Sequence, residues 1–382
     1  MKKDVVIVGG GFAGAVSARL FADAGHKVRV IEKRPHIGGN CFDAKDEAGI
    51  LVHRYGPHLF HTDYKEVVGF LSRFCEWSAY EHRVLAKVDD KDISLPFNFH
   101  TLYECFESLH AKRLEDKLLL HYGAGVKVPI LELLRSEDAE LKELAEYIYE
   151  NIFVGYTTKM WGISPHEIDA AVTARVPIFT GYDGRYFHDS FQALPKEGYT
   201  KLFERMLSHA DISIELGVDF LEIASLRDTE ISIEGEVFDG VVIYTGALDE
   251  LFGYRFGALP YRSLELEFET LACEYFQNAA TVNYPKSEDF TRITEFKHIH
   301  PVACEETTIL KEYPCEYKRG ENIPYYPIFT PQNQELYEKY LSHAKNYANL
   351  VLLGRLAEYR YYDMDDIIKR VLDFFKENFA RG

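Results

Sequence analysis

The sequence predicts an α/β fold, and three features of the 382-residue chain support this prediction. A β-branched run at Val5–Val8 leads into a glycine-rich turn and then into apolar residues at helical spacing, as in a βαβ unit. Residues 101–151 place apolar side chains on one helical face, and residues 261–308 alternate apolar and polar side chains as antiparallel strands do. We therefore expect a discontinuous Rossmann-like βαβ domain with an inserted helical domain and an antiparallel β-sheet domain.

Later segments indicate how the chain returns to its first domain. Lys27–Ile31 is typical of a second buried strand, short strands are expected between Ile212 and Tyr244, and Val351–Leu353 reads as another strand. A final amphipathic helix is expected from Asp365 to Phe379. The expected division is a cofactor-binding domain at 1–78, 197–246 and 347–382, a helical domain at 100–175, and an antiparallel sheet domain at 79–99, 176–196 and 247–346.

The charge balance restricts the partners. The formal net charge of −18 repels nucleic acid and anionic membrane surfaces, so neither is expected as a partner. The apolar run Val5–Val8 is shorter than the core of a signal peptide, and no stretch approaches the roughly 20 apolar residues of a membrane span. An anionic substrate would need arginines that create a local positive pocket.

The cysteines predict a reducing compartment. The six of them are scattered and form no C-x-x-C pair, which is typical of free thiols in a cytoplasmic protein. No metal site is expected either. His58 and His61 are three residues apart, but no third ligand stands at a recognisable spacing.

A dinucleotide fingerprint follows the first strand. Gly9, Gly11 and Gly14 satisfy G-x-G-x-x-G, in which the glycines allow a tight turn, close approach of a pyrophosphate and close helix–strand packing. Glu32 ends the second strand at the spacing of an acidic residue that binds a ribose 2′-hydroxyl, which disfavours NADP. FAD and NAD both remain open at this point.

The next segment favours FAD. Arg34 and the following His36–Asn40 resemble the continuation found in FAD-binding two-dinucleotide-fold proteins such as amine oxidases. Near the other end, Gly354-Arg355 followed by Asp363 and Met364 at a helix start resembles the second FAD contact of those folds. The alternative for Gly354-Arg355 is a plain strand-to-helix turn.

Further motifs combine aromatic rings, glycines and arginines. Phe153, Tyr156 and Trp161 could stack a planar base, or they could be the core-facing end of a helix. Arg175, followed by the glycine-rich stretch Gly181–Gly184, could belong to a mobile loop that delivers charge to a ligand, or could be a solvated surface arginine. Arg292 lies within a strand pattern and could face a ligand or a carboxylate.

The order of these motifs resembles the UDP-galactopyranose mutase family, flavoenzymes that interconvert UDP-galactopyranose and UDP-galactofuranose. The resemblance runs from Val5 to Asp365. Besides the fingerprint it rests on His-Ile-Gly-Gly-Asn, Tyr-Gly-Pro-His-Leu-Phe-His-Thr, Gly-Tyr-Thr-Thr-Lys-Met-Trp-Gly, Thr-Arg-Ile-Thr-Glu, Pro-Tyr-Tyr-Pro and Gly-Arg-Leu-Ala-Glu-Tyr-Arg-Tyr-Tyr-Asp-Met-Asp.

The resemblance implies roles for individual residues. It implies that Arg175 and Arg292 bind the diphosphate and that His61 lies near the flavin, so these three are the expected catalytic residues. The residues implied for substrate binding are Phe153, Tyr156, Trp161, Tyr186, Asn283, Tyr326 and Tyr361. The residues expected at the cofactor are Gly9, Gly11, Phe12, Gly14, Glu32, Arg34, Gly39, Asn40, His58, Arg355, Asp363 and Met364.

The resemblance also implies a mechanism and partners. FAD must be reduced, and the reaction passes through a covalent sugar adduct at flavin N5 while two arginines stabilise the departing diphosphate. The expected partner is UDP-galactose, the pathway supplies a cell-surface glycan, and a homodimer is the common assembly for such an enzyme. The alternative is a flavin amine oxidase-like oxidoreductase, which would use the same fold with oxidised FAD.

Overall fold

The computed structural model describes residues 4–161, 177–286 and 288–379. The strands of these ranges are β1 Val5–Val8, β2 Val28–Glu32, β3 Asp43–Lys45, β4 Leu51–His53, β5 Phe60–Thr62, β6 Trp77–Ala79, β7 Val84–Val88, β8 Lys91–Leu95, β9 Lys127–Pro129, β10 Pro177–Phe179, β11 Phe191–Pro195, β12 Ile212–Leu216, β13 Ala224–Arg227, β14 Glu230–Ile233, β15 Glu236–Val237, β16 Val241–Tyr244, β17 Tyr261–Leu271, β18 Thr281–Asn283, β19 Arg292–Glu295, β20 Thr307–Glu316, β21 Tyr326–Pro327 and β22 Leu350–Leu352.

The helices surround these strands. They are α1 Phe12–Asp23, α2 Lys65–Leu71, α3 Phe99–Cys105, α4 Ser108–Tyr122, α5 Ile130–Leu133, α6 Ala139–Ile148, α7 Gly155–Trp161, α8 Tyr199–Leu207, α9 Phe220–Ile223, α10 Leu248–Leu251, α11 Phe296–Ile299, α12 Pro331–Ala344 and α13 Met364–Asn378, with a 3₁₀ turn at Gly39–Cys41 and a π-helix at Tyr149–Val154. No helix in the described ranges is long and apolar enough to span a bilayer.

A five-stranded parallel sheet forms the centre of the cofactor-binding region. Its strand order is β12-β2-β1-β16-β22, so segments from the beginning, middle and end of the chain lie side by side. Val5 pairs with Val28 on one side and with Val241 on the other. The prediction of a discontinuous Rossmann-like domain is confirmed.

The two faces of this sheet belong to two different hydrophobic cores. Val5 and Ile7 pack into one core with α1 and α13, whereas Val6 packs into the other with Tyr337 and Tyr340 of α12. Because both faces are covered, the strands lack the polar alternation of a half-exposed strand. This burial is why Val5–Val8 reads as an uninterrupted apolar run.

A seven-stranded sheet lies beside the cofactor-binding region, in the order β21-β17-β20-β19-β18-β7-β8. Its longest ladder pairs β17 with β20 in antiparallel register from Arg262↔Glu316 to Leu271↔Thr307. The expected antiparallel sheet is therefore present, with one exception. Strand β18 pairs with β7 in parallel, because β7 comes from a distant part of the chain and enters the sheet without a hairpin.

The expected helical region is largely helical, but short breaks at 106–107 and 134–138 and a longer one at 123–129 divide it into separate helices. Gly123 and Gly125 both have positive φ, end α4, and are followed by the extended segment Lys127–Pro129, which pairs with β10. A continuous helical reading of 101–151 is wrong there. Beyond α6 the helix changes to a π-helix over Tyr149–Val154 before α7 begins.

Candidate active site

The glycine-rich turn after β1 is packed too tightly for any side chain. A Cβ at Gly14 would stand 1.9 Å from the Gly9 carbonyl oxygen, and one at Gly9 would stand 2.1 Å from Thr245 Oγ1. Gly39 approaches the same turn so closely that its Cβ would lie 2.9 Å from Gly11 Cα. Backbone rather than side chains therefore forms this surface, which lets a phosphate group come close to amide N–H groups.

Helix α1 presents its free N–H groups to this surface. Gly11 is the N-cap, and no side chain in the described part of the chain caps the helix. No acidic residue stands in the first turn. The first amides therefore remain available to an anion, which the helix dipole also favours.

Glu32 lies at the carboxyl end of β2, next to the turn. The side chain is buried, its Oε2 accepts from Gly10 N at 2.6 Å, and its Oε1 accepts from Arg34 N at 2.9 Å. Each carboxylate oxygen has a further lone pair, which can accept from the hydroxyls of a ribose. The position agrees with the role predicted for Glu32.

Arg34 supplies a positive charge on the same side. Its guanidinium donates from Nη2 to Asn40 Oδ1 at 2.9 Å and stacks 4.4 Å from the centroid of the Tyr55 ring. Nη1 is buried and has no hydrogen-bond partner among the described residues. A buried, charged donor without an acceptor is costly, so this nitrogen fits a phosphate oxygen of a bound dinucleotide.

One cavity of about 590 Å³ joins these groups. Its lining includes every residue predicted at the cofactor except Gly14, which packs beneath the turn: Gly9, Gly11, Phe12, Glu32, Arg34, Gly39, Asn40, His58, Arg355, Asp363 and Met364. The size is that of a cofactor site, and a glycine cradle with a buried arginine suits FAD.

The sequence reasoning missed part of this lining. Thr245 and Gly246 follow β16 at the carboxyl edge of the parallel sheet, and Tyr317 to Tyr325 close the cavity from the other sheet. Ligands of open α/β sheets bind at the carboxyl ends of the strands, so Thr245-Gly246 could have been found from its place after the run Val241–Tyr244. Residues 317–323 carry no comparable signal, whereas Pro324 and Tyr325 belong to the motif Pro-Tyr-Tyr-Pro.

Arg355 connects the cofactor cavity to two tyrosines. Its Nη2 donates to the Tyr362 carbonyl at 2.6 Å, and its guanidinium lies 5.6 Å from the ring centroid of Tyr326 and 5.1 Å from that of Tyr361. The two tyrosine rings are stacked at 6.2 Å with an interplanar angle of 22°. The two residues predicted for substrate binding thus contact Arg355, which lines the cavity predicted to hold the cofactor.

His58 reaches the cavity as a neutral ring. Its Nδ1 donates to the Gly56 carbonyl at 2.8 Å, which leaves Nε2 unprotonated. Burial, helped by Arg355 and Arg292, lowers the pKa of His58 to about 4. Its backbone N–H donates to His53 Nδ1, and His53 Nε2 then donates to His300 Nε2 at 3.1 Å.

His61 occupies a different place from His58. Its ring stacks on Phe187 at 3.7 Å, and its Nδ1 lies 3.0 Å from Asp189 Oδ2. It does not line the cofactor cavity of the described chain, whereas His58 does. The catalytic role of His61 stays a prediction.

We predict that acid destabilises the fold through its desolvated histidines. Burial lowers the pKa of His58 and His300 to about 4 and that of His82 to about 3, and the pKa of His53 also lies well below 6.5. The unfolded chain binds protons at these sites from about pH 6.5 downward, whereas the folded chain does not. The free energy of unfolding should therefore fall as the pH drops from about 6.5 to 4, by up to about 1.4 kcal/mol per pH unit for each fully buried histidine.

Urea unfolding at several pH values measures this slope. In the variant His300→Gln, the new amide can still accept the hydrogen bond from His53, so the variant should fold and show a shallower slope. His121→Gln, at an exposed helix end, is the matched control and should keep the wild-type slope. Equal slopes in both variants would contradict the prediction.

Arg292 is the first residue of β19, and its charge helps to lower the pKa of His58, which lines the cavity. It donates from Nε and Nη2 to the two carboxylate oxygens of Glu312 at 2.6 and 2.8 Å. The two residues are directly opposed in the β19–β20 ladder, and Glu312 is fully buried. Although burial opposes the charge, the adjacent Glu312 keeps the pKa of Arg292 well above its usual value, so the cation is permanent.

Three predicted substrate tyrosines lie near enough to this cation for its charge to affect their pKa values. Burial raises the pKa of Tyr156 to about 12 and also raises the pKa of Tyr186 and Tyr326, while the charge of Arg292 opposes the rise in each. One arginine therefore acts electrostatically on Tyr156, Tyr186 and Tyr326. Asn283 pairs with Arg292 in the β18–β19 ladder and joins the same group.

The remaining predicted substrate residues divide into two classes. Phe153 is buried in the π-helix and stacks on Tyr149 at 5.4 Å, so in this structure its ring packs against protein. Trp161 ends α7, and its side chain lies outside the described part of the structure, as does the whole of Arg175. Their predicted roles remain predictions.

Comparison with known proteins identifies the family and the dinucleotide-binding region. A family model described as UDP-galactopyranose mutase matches residues 151–361, and one described as an NAD(P)-binding Rossmann-like domain matches residues 7–74. A probable UDP-galactopyranose mutase of Klebsiella pneumoniae is 38% identical, over 97% of this chain and 93% of its own length. The chain belongs to the UDP-galactopyranose mutase family. It is accordingly an isomerase with FAD as its cofactor.

Other relatives of this mutase carry two different names. A UDP-galactopyranose mutase of Mycoplasma pneumoniae is 34% identical over 97% of this chain and 95% of its own. A dTDP-fucopyranose mutase of Escherichia coli is 37% identical over 97% of this chain and 96% of its own. Overall identity therefore does not separate the two sugar nucleotides.

Solved structures share the fold of this mutase. The crystal structure of a reduced UDP-galactopyranose mutase superimposes with a TM-score of 0.75 at 15% identity, covering 100% of this chain and 95% of the other. A putrescine oxidase superimposes with a TM-score of 0.60 at 13% identity, covering all of both chains. The expected likeness to amine oxidases is thus one of fold. In sequence, an L-amino-acid oxidase of Mus musculus is 51% identical over only 11% of this chain.

The structure also shows how the mutase holds α7, which carries Tyr156. Arg262, which the sequence reasoning missed, donates from Nε to the Met160 carbonyl at 3.0 Å and from Nη2 to the Lys159 carbonyl at 3.4 Å. A Cβ at Gly155, the first residue of the helix, would lie 1.8 Å from the Pro285 carbonyl oxygen. The helix is thus fixed to the sheet at both ends. The sequence offered one signal for this role, because Arg262 is a charged residue within a strand that alternates apolar and polar residues.

We predict that Arg262→Ala raises the KM of the mutase by about tenfold, because the last carbonyls of α7 lose a charged donor worth about 1.5–3 kcal/mol. Steady-state kinetics on the reduced enzyme measures this effect. Arg255→Ala is the matched control, since that exposed arginine contacts His343 and the Phe256 ring rather than α7. An unchanged KM in Arg262→Ala would show that the helix needs no such support.

Proposed function

We propose that this enzyme interconverts UDP-galactopyranose and UDP-galactofuranose and that FAD must be in its reduced form. The observation that carries the proposal is Arg292, a permanent cation held by Glu312, whose charge acts on three tyrosines and on His58 of the cavity suited to FAD. The relatives named UDP-galactopyranose mutase, at 34–38% identity over nearly the whole chain, support this choice of substrate.

The charge of Arg292 suits the departing diphosphate. Because Glu312 already holds the guanidinium through Nε and Nη2, the cation needs no reorganisation when negative charge develops on the leaving group. Nη1 is not used in this ion pair and can donate to a phosphate oxygen. We propose that Arg175 supplies the second charge when substrate binds.

Reduced FAD, when bound, supplies an electron-rich N5 that can form a bond to the anomeric carbon as UDP leaves. The pKa values of nearby tyrosines and of His58 fix which of these side chains carry protons during the reaction. The raised pKa values of Tyr156, Tyr186 and Tyr326 keep their hydroxyls protonated as donors to phosphate and sugar oxygens. The low pKa of His58 keeps its ring neutral, with Nε2 free to accept a hydrogen bond.

Product analysis tests the proposal. The purified flavoprotein is mixed with UDP-galactofuranose, with and without dithionite, and the nucleotides are separated by HPLC. UDP-galactopyranose should form in the reduced sample alone. If neither sample reacts although the flavin is present and reducible, the substrate is wrong.

The relative named dTDP-fucopyranose mutase makes dTDP-fucofuranose the second substrate to test. The two sugar nucleotides differ in the base, the 2′-hydroxyl and the sugar 6-hydroxyl, so kcat/KM for both on one enzyme preparation separates them. We expect the uridine nucleotide to have the higher kcat/KM. A higher value for the thymidine nucleotide would transfer the assignment to the fucose reaction and leave the mutase chemistry intact.

We further propose that the enzyme works in the cytoplasm as a homodimer and supplies galactofuranose for a cell-surface glycan. Its six cysteines are all free thiols, as a reducing compartment favours. A strain without the gene should accumulate UDP-galactopyranose and lose galactofuranose from its surface. An unchanged surface glycan would contradict this placement.

A further inference from the structure

A second large cavity lies on the far side of one wall of the cofactor cavity. Its volume is about 640 Å³, and it opens between α12, α13 and β22, the edge strand of the parallel sheet. The segment from Gly354 to Tyr362 separates the two spaces. Gly354 and Arg355 line the cofactor side, Glu358 and Arg360 line the other side, and Tyr362 lines both. We name the second space the rear cavity.

Cations outnumber carboxylates in the lining of the rear cavity. Lys345, Arg360 and Arg370 carry positive charge there, whereas Glu358 is the single acidic residue of the described lining. The cavity thus has an excess of two positive charges, although the whole chain carries a net charge of −18. A concave surface with such an excess attracts anions.

Most donors of these cations are unused. The side chains of Lys345 and Arg360 form no ion pair or hydrogen bond with a described residue. Arg370 donates from Nε to Glu358 Oε1 at 3.0 Å, which leaves both of its terminal nitrogens for a ligand. The other oxygen of Glu358 already accepts from Gly354 N at 3.0 Å. Guanidinium groups with free N–H donors are well suited to phosphate.

The cavity at the amino ends of β1 and β2 shows the opposite arrangement. Its volume is similar, about 560 Å³, and it also contains two basic residues. Lys27 is paired with Asp211, however, and Arg29 is paired with both Glu215 and Glu234. Its cations are therefore already neutralised within the chain, in contrast to those of the rear cavity.

Apolar side chains supply another part of the rear cavity. Leu341, Leu350 and Leu352 are half-buried there, and Phe329 keeps 49% of its surface exposed. The Phe329 ring packs edge-on against Tyr359, with 6.1 Å between the ring centroids. An exposed aromatic ring and a free guanidinium in one cavity suit a planar group, because both stack on flat rings.

We propose that the rear cavity is a second ligand site, for a phosphate-bearing molecule with a planar ring, such as a nucleotide. The phosphate binds to the free donors of Lys345, Arg360 and Arg370, and the ring lies among Phe329 and the leucines. Sites for small molecules occupy about 300–1,000 Å³, a range that includes the volume of this cavity. The site is separate from the FAD cavity and does not depend on which sugar nucleotide the enzyme converts.

Calorimetric titration of the flavin-loaded enzyme with GDP tests the proposal. GDP should bind without releasing the flavin. The double variant Lys345→Gln/Arg360→Gln should bind GDP at least about tenfold more weakly, since two charged donors to phosphate are lost. Both residues are exposed, so the variant should fold normally. Lys339→Gln removes an exposed lysine of α12 that is outside the lining, and this matched control should bind GDP as the wild type does.

Two further titrations locate the site and define what it recognises. The active-site variant Arg292→Ala/Glu312→Gln should keep its affinity for GDP, whereas weaker binding would place GDP in the active site and overturn the proposal. Inorganic phosphate and guanosine should each bind at least about tenfold more weakly than GDP, because each lacks one of the two recognised groups. Absent GDP binding, unchanged affinity in Lys345→Gln/Arg360→Gln, or equal affinity for either fragment would also overturn it.

Discussion

Replacing Arg292 with alanine should lower kcat/KM by about 10²–10³-fold, while FAD remains bound. The reason is that Arg292 is a permanent cation fixed by two short hydrogen bonds to Glu312, so it can stabilise charge on the leaving diphosphate without reorganising. Loss of such a donor costs about 2.7–4 kcal/mol of transition-state stabilisation. Steady-state kinetics on the reduced enzyme measures the loss, and the flavin absorbance gives the cofactor content.

The same change should also destabilise the fold, and a second variant separates the two effects. Arg292→Ala leaves the fully buried Glu312 carboxylate without its partner, which costs about 3–5 kcal/mol. The double variant Arg292→Ala/Glu312→Gln removes the orphaned charge and should recover most of the stability but none of the activity. Recovered activity in the double variant, or normal turnover in Arg292→Ala, would refute the role of the cation.

Gly14→Ala should abolish tight binding of FAD. The added methyl group would stand 1.9 Å from the Gly9 carbonyl oxygen, and the obstacle is backbone at the centre of the glycine turn, so α1 must move away from β1. That movement would shift the amides that face the pyrophosphate. The ratio of flavin to protein absorbance after purification measures the effect, and we expect a loss of at least tenfold.

Gly69→Ala is the matched control for this prediction. Gly69 also lies within a helix, α2, but a Cβ there would meet nothing within 4 Å. Alanine stabilises an open helical position by about 0.5–1 kcal/mol, so this variant should keep its flavin and unfold at slightly higher urea. Normal flavin content in Gly14→Ala would contradict the close-packing argument.

Much of the cofactor cavity could be predicted because its signals are local. The residues that could be predicted lie in short motifs: the glycines of the turn, Glu32 at the end of a strand, and Arg355 after Gly354. Each of these motifs contributes residues to the lining of the same cavity. A βαβ unit brings its turn, helix start and second strand together by chain connectivity alone. The tertiary fold then had only to bring residues 354–364 beside them.

The partner of Arg292 and the supports of the neighbouring segments could not be predicted in this way. Glu312 meets Arg292 because the register of β19 and β20 places them opposite each other, and that register follows from the packing of the whole sheet. Arg262 supports α7 from a residue about a hundred positions away. The hydrogen bond between His53 and His300 likewise joins two distant segments.

The sequence by itself determined the α/β class, the dinucleotide turn, the family and many of the residues that line the cavity suited to FAD. These features depend on interactions within some thirty residues or on a shared order of motifs. Only the tertiary structure decided which carboxylate holds Arg292, that His61 stacks on Phe187 and does not line the cavity, and that Leu109 and Leu120 of α4 face outward. Those outcomes depend on strand register and on which helix face is buried, and both are settled by packing between segments far apart in the chain.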